Sequence, residues 1–387
     1  MAELGTGSDW RRALVYLGGM MGPFGAGVMV PMVPELREAF SVSTAQVGWA
    51  MMAYLVPFAG LLLVSGTLGD RWGRARTLRW TFGLYAVATA ACAVAPSFTW
   101  FLAGRIAQGG LNAFITPLLL ATLTDTAPAA RLGRVVGRYA ACQAFGQLVA
   151  PVVGGVGADL NWRLAFWAAA FVSAVIAPLL PVSGGSGDLG TRGDQPKRPP
   201  MRSLLRRSTM LLAATALLAA FGPVGARVLV GLGGRDEIGL SGSQVGLLLL
   251  GGGAAGMLAA PLWGIVLDHW GGRRAVTVAL VVNSGIVALL AVANSAWALA
   301  LVWFIGGAST QAVVVGFQSL ASIAAPDNRA GALSFTLAYR FSGHALGALI
   351  WFPVFAASPT IAYLGSAAVG GLAIVTVLAS GLNTRTE

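Results

Sequence analysis

The chain has 387 residues, 56% of them hydrophobic and only 10% charged. A water-soluble domain carries about a quarter charged residues, so a soluble globular fold is excluded. The strands of a membrane barrel alternate polar and apolar residues over about ten positions, a pattern this chain lacks. The formal net charge of +11 would suit nucleic acid in a soluble protein; here the arginines fall in loops between apolar runs, so the expected partner is the lipid bilayer and no nucleic acid.

Apolar runs near twenty residues, each long enough to cross a hydrocarbon core as a helix, fall at about 13–34, 45–67, 77–95, 99–123, 134–157 and 164–182. A second set falls at about 209–231, 244–267, 275–293, 297–324, 331–356 and 360–382. The expectation is an all-α integral membrane protein with twelve transmembrane helices. Glu3 and Asp9 precede a long first run, which reads as an uncleaved insertion signal rather than a leader peptide. Nineteen lysines and arginines lie in the N-terminus, the loops after even-numbered spans, the 183–207 segment and the C-terminus, against Arg37, Arg163 and Arg235 on the other side. The positive-inside rule then makes both termini cytoplasmic in a multi-pass cell-membrane protein. The segment 183–207 is rich in Gly and Pro and basic, a linker composition whose basic end suits anionic headgroups. It divides the chain into six-helix bundles at 1–182 and 208–387. Cys92 and Cys142 lie inside spans and form no disulfide framework.

At one constant offset of 198, thirteen residues repeat. Ser43, Gln46, Val47 and Gly48 match Ser241, Gln244, Val245 and Gly246. Gly66, Asp70, Trp72, Gly73 and Arg76 match Gly264, Asp268, Trp270, Gly271 and Arg274. Ala127, Pro128, Arg131 and Gly133 match Ala325, Pro326, Arg329 and Gly331. Two pseudo-symmetric halves in parallel orientation follow, with the cargo site between them near the midplane.

The loop between spans 2 and 3 carries Gly66, Asp70, Arg71, Gly73, Arg74 and Arg76. Its glycines permit close backbone approach and a tight turn, Asp70 at a helix end suits the positive N-terminus of a neighbouring helix, and the arginines offer forked donors to carboxylates. The loop resembles the signature loop of the major facilitator superfamily. That resemblance implies the family's fold, and a charge cluster in which Asp70, Arg74 and Asp125 latch the cytoplasmic side in the outward-open state. The second copy (Gly264, Asp268, Gly271, Arg274) has His269 and Gly272 in place of Arg71 and Arg74, and Ile323 in place of Asp125. The latch is therefore expected only in the N-terminal half.

Arg105, Gln108 and Gly109 in span 4 are similar to a second family signature common in proton-linked members. An arginine inside a span faces a cavity or a partner, or snorkels to headgroups. In span 5, Gly137, Gly146, Ala150, Pro151, Gly154 and Gly155 reproduce the spacing of the family's antiporter motif, with Ala150 replacing a glycine. Small residues let this helix press on its neighbours, Pro151 bends it, and the resemblance points to efflux of the drug:proton antiporter type.

In span 11, Arg340 sits near mid-membrane with His344 one turn on, on the same face. Arg340 needs a polar cavity, a carboxylate partner or an anionic cargo group. No acid falls mid-span, so the proton-carrier candidates are His344, the one intramembrane side chain that titrates near neutrality, then Glu35 at the end of span 1, and Asp125. The substrate-cavity candidates are Arg340, His344, Asn112, Gln143, Gln147, Gln311, Gln318, Phe24 and Tyr54; interhelical bonding is the competing role for each amide. The string Gly251-x-Gly253-x-x-Gly256 lacks the strand that a dinucleotide site requires and reads as helix packing. No nucleophile–base set or metal-ligand cluster occurs. The chain is therefore expected to be a transporter of amphipathic small molecules, acting as a functional monomer with no cofactor or metal and a proton gradient as driving force, and not an enzyme. An uncoupled facilitator or flippase for an anionic metabolite or lipid-linked substrate is the alternative.

Overall fold

The computed structural model describes residues 9–125, 132–180 and 204–382. Its helices in the first half are α1 (Asp9–Gly27), α2 (Val33–Phe40), α3 (Thr44–Arg71), α4 (Arg74–Ala93), α5 (Phe98–Asp125), α6 (Leu132–Leu160) and α7 (Trp162–Leu179). The second half holds α8 (Arg207–Phe221), α9 (Arg227–Leu232), α10 (Gly242–Trp270), α11 (Gly272–Leu290), α12 (Ala296–Ala324), α13 (Arg329–Ala357) and α14 (Pro359–Ala379). Ten helical segments among the described residues are long and apolar enough to cross a membrane. The arginine-bearing α4 and α13 complete twelve spans. Most of the expected linker at 183–207 lies outside the described residues.

Two spans depart from the expected straight helices. Span 1 does not stop at residue 34: α1 ends at Gly27, a 3-10 turn follows over Val30–Met32, and α2 carries the chain on to Phe40. Pro31 and Pro34 lack the N–H that a continuous helix uses. Span 7 breaks in the corresponding place. There α8 ends at Phe221, Pro223–Ala226 forms a 3-10 turn, α9 is short, and Gly233–Glu237 is a π turn.

The repeat reappears as local geometry. Ser43 and Gln46 cap α3 reciprocally, Ser43 N–H donating to Gln46 Oε1 at 2.8 Å and Gln46 N–H to Ser43 Oγ at 3.2 Å. Ser241 and Gln244 do the same for α10, at 2.8 and 3.3 Å. Each is a capping box that satisfies two orphan donors. Gly73 and Gly271 both take positive φ, 87° and 79°, the conformation that favours glycine and that turns the chain into α4 and α11. Helix pairing repeats as well: α1 packs on α6 as α8 packs on α13, and α4 on α7 as α11 on α14.

The halves meet along α3 with α13 and along α6 with α10. Large apolar side chains such as Trp80, Phe171 and Leu258 cover the outside, and Trp297 is 88% exposed. Lipid solvates such a surface, and Trp is enriched where lipid meets water.

Candidate functional site

One end of the molecule is clasped between the halves. Glu35 in α2 pairs with Arg235 of the π turn, and Arg37 reaches Asp236 at 3.5 Å. Asp159, at the end of α6, accepts the Gly242 and Ser243 N–H groups at 2.7 and 2.9 Å, capping the first turn of α10, where helix N–H groups lack partners. Beneath these contacts the backbones of α6 and α10 approach closely: a Cβ on Gly246 would lie 2.6 Å from Pro151 O and 3.0 Å from Val152 Cα. A Cβ on Gly155 would strike Gly242 O. Gly48 of α3 lies likewise against Ala348 and Phe352 of α13.

At the other end the halves stand apart. A Cβ added at Gly60, Gly66, Gly137 or Gly264 would meet nothing within 4 Å, and Leu63, Leu262 and Ile265 are exposed. The expected close backbone approach at Gly66 is therefore not made in this conformation; Gly69, one turn on, packs against Leu118 instead. Among the described residues, every hydrogen bond and ion pair between the halves lies at the clasped end. The Asp70 and Asp125 carboxylates of the expected latch lie outside the described side chains, as does Arg131.

Arg105 neither faces a cavity nor snorkels to headgroups. It is 1% exposed and donates to Gly25 O at 3.1 Å, Ala50 O at 3.3 Å and Gln108 Oε1 at 2.9 Å, with its guanidinium 4.3 Å from the Tyr54 ring centroid. Gly25 lies in the last turn of α1, where carbonyls lack helical donors. Gln108 passes the network on to Thr89 at 2.7 Å. Gly109 lets α5 approach the Tyr54 backbone. Arg105 thus ties α1, α3, α4 and α5 into one body.

Three of the expected cavity residues are packed in the interior in this structure. Tyr54 donates to Gly22 O at 3.1 Å and accepts from Asn112 at 2.8 Å, and both side chains are buried. Phe24 is buried in the main apolar core. Gln147 and Gln318 are exposed, and Gln143 and Gln311 half-buried. Glu35, an expected proton-carrier candidate, is engaged in the clasp. Of the glycine string in α10, Gly253 packs against Leu148 and Gly256 against Gly307 of α12, whereas a Cβ on Gly251 would meet nothing within 4 Å.

In the second half, Arg340 opens on a pocket between α12 and α13 lined also by Phe317, Gln318, Thr336 and Leu337. His344 lies beside Gly225, in the break of span 7. Arg227 is the first residue of α9, which packs against α13. The sequence reading missed Arg227, although the signal was present. Of 25 lysines and arginines, only Arg105, Arg227 and Arg340 escape the loop assignments. Asp159, Arg235 and Asp236 were missed as partners because their contacts join residues far apart in sequence.

The family model of the Major Facilitator Superfamily matches residues 15–348. The chain is similar to the MFS-type transporter EfpA of Mycobacterium tuberculosis, 33% identical over 40% of this chain and 30% of that protein. It is similar to the drug efflux pump JefA of the same organism, 32% identical over 40% of this chain and 32% of that one. It also resembles the 3-(3-hydroxy-phenyl)propionate transporter of Escherichia coli, 30% identical over 47% of this chain and 45% of that one. These matches span less than half of each curated relative. A bacterial homologue of the lysosomal transporter Spinster, solved inward-facing and unoccupied, superposes with a TM-score of 0.76 at 18% identity over 96% of this chain and 95% of that one. The family-model match runs from span 1 into span 11, well over half of the chain, and the chain belongs to the Major Facilitator Superfamily.

Proposed function

We propose that the protein is a secondary active transporter that exports amphipathic small molecules by alternating access. The observation that carries this reading is the arrangement of the two halves, clasped at one end and separated at the Gly66 end. The arginine distribution assigns the separated end to the cytoplasm, so cargo enters from inside and leaves when the clasp opens and the opposite end closes. The spacing of Gly146, Ala150, Pro151, Gly154 and Gly155, with its antiporter resemblance, and the similarity to JefA favour export. On this reading the protein sits in the cell membrane with both termini cytoplasmic, works as a monomer and needs no cofactor.

Closure of the cytoplasmic end uses the Asp70–Arg74–Asp125 latch. Arg74→Ala is expected to depress transport by about tenfold, since a charge-assisted contact is worth about 1.5–3 kcal/mol, with insertion and expression unchanged. Efflux at the parental rate from a normally expressed variant would remove the latch. Proton exchange runs through His344. His344→Ala is expected to flatten the dependence of transport on pH, and an unaltered profile rules it out as carrier. Cells expressing the chain, challenged with a panel of amphipathic compounds, test the export reading itself, with protection or sensitisation as the readout.

A second reading, an uncoupled facilitator for an anion, is favoured by one observation: the described carboxylates sit at the ends of spans, whereas Arg227 and Arg340 sit within them. Vesicle transport with and without an imposed pH gradient separates the two.

A further inference from the structure

Three cationic or protonatable groups converge on the middle of the second half. Arg340 is the twelfth residue of α13, about 17 Å along the helix at 1.5 Å per residue, and so near the centre of a hydrocarbon core about 30 Å thick. Arg227 begins α9, directly after the Pro223–Ala226 break, and α9 packs against α13. His344 stands one turn from Arg340, with Nδ1 3.5 Å from the position a Cβ on Gly225 would occupy.

Arg105 shows what a satisfied intramembrane arginine looks like in this protein, with hydrogen bonds to three acceptors. Arg227 and Arg340 differ. Among the described residues no hydrogen bond or ion pair reaches either guanidinium or the His344 ring, and Arg340 Nε is buried without a partner. The described carboxylates stand elsewhere: Glu35, Glu38, Asp159, Asp236 and Glu237 at the clasped end, Asp268 and Asp327 at the other.

Two partly buried guanidinium groups on packed helices near mid-membrane, without a counter-charge, are costly. An anion between them relieves both desolvation and mutual repulsion, and forked guanidinium donors fit a carboxylate in two-point fashion. An apolar bed adjoins the charges. The Arg340 guanidinium lies 5.4 Å from the Phe341 ring centroid. Phe341 meets Phe58 of the other half edge-on, at 4.7 Å between centroids, and Phe58 stacks on Tyr54 at 6.3 Å.

We infer that Arg227, Arg340 and His344 form an anion-binding site that takes the carboxylate of an organic anion, whose apolar body rests on Phe341. The inference rests on the transporter reading, in which the space between the halves holds cargo, and it specifies the charge of that cargo. The site joins α9 and α13 of one half, and Phe341 passes its contact on to Phe58 in α3 of the other, so a bound anion adjoins the meeting of the two bodies that must move.

The test uses the purified full-length chain and three probes that differ only in head group: phenylbutyrate, phenylbutanol and phenylbutylamine. Thermal stability is followed against probe concentration. Phenylbutyrate alone is expected to stabilise the protein, with the half-maximal concentration rising about tenfold or more in Arg340→Gln and in Arg227→Gln, the loss expected for one charge-assisted contact. Arg163→Gln, far from the site, is the control. Should a glutamine variant fail to fold, Arg340→Lys and Arg227→Lys keep the charge but lose the fork, and intermediate weakening is expected. Equal stabilisation by the amine or the alcohol, no effect of phenylbutyrate, or a response unchanged in the Arg227 and Arg340 variants would each overturn the site. Failure of the export reading looks different: cells export nothing, yet phenylbutyrate still binds and the variants still weaken it. Export of cationic amphiphiles without phenylbutyrate binding leaves export standing and removes the anion site.

Discussion

Gly155→Val is expected to hold the protein with its clasped end open while leaving each half folded. The wild-type glycine faces Gly242 across the α6–α10 seam, where an added Cβ would strike the Gly242 carbonyl oxygen. Backbone cannot rotate out of the way as a side chain can. Forced overpacking costs about 1–3 kcal/mol, and here the penalty falls on the clasped state alone, because the seam exists only there. Such a difference lowers the clasped population by roughly five- to 150-fold. By comparison, the Arg37–Asp236 pair, with side chains 41% and 29% exposed, is worth on the order of 0.2–1 kcal/mol. The glycine seam therefore governs the equilibrium more strongly than that exposed pair does. Spin labels at the exposed positions Leu160 and Gln244 would report the distance between halves at this end, and Gly155→Val should shift that distribution to longer values. Gly285→Val, where a Cβ meets nothing within 4 Å, should leave it unchanged. A distribution in Gly155→Val identical to the wild type would refute the seam as the determinant.

Arg105→Met is expected to destabilise the first half outright. The substitution removes donors from Gly25 O and Ala50 O and from the Gln108 side chain, in an interior that offers no replacement from water. Hydrogen bonds to a charged group contribute about 1.5–3 kcal/mol each and are not additive; a net loss on the order of 3 kcal/mol is reasonable for a side chain that joins three other spans. Arg105→Lys should fall between, since one ammonium cannot reach acceptors on α1, α3 and α5 in the way a planar fork does. The temperature at which the monodisperse form disappears on heating measures this. A variant as stable as the wild type but defective in transport would return Arg105 to a direct role in the cycle.

The contrast between these residues shows what could be read from the chain. Features set by local chemistry were legible. Gly73 was expected at a tight turn and adopts φ 87° there, and the Ser43–Gln46 repeat proves to be a cap, which is a matter of three residues' spacing. Features set by meetings between distant segments were not. Pro31 and Pro34 marked an end to span 1, whereas the helix resumes after the 3-10 turn because the next apolar face, Val33 and Leu36, still has a core to join. Asp159 and Arg235 looked like ordinary loop charges, since nothing near them in sequence announces Gly242 or Glu35. Arg105 and Arg340 looked alike as lone intramembrane arginines; only the packing around them separates a satisfied group from an unsatisfied one.

The two ion pairs across the clasped end have a consequence for how the halves return after each separation. Glu35 and Arg37 come from one half and meet Arg235 and Asp236 of the other, so each side contributes one acid and one base. A lateral slip in one direction sets Glu35 against Asp236, and a slip in the other sets Arg37 against Arg235, so either places like charge against like. The crossed charges act as an alignment key: they exclude the neighbouring misfits each time the halves meet.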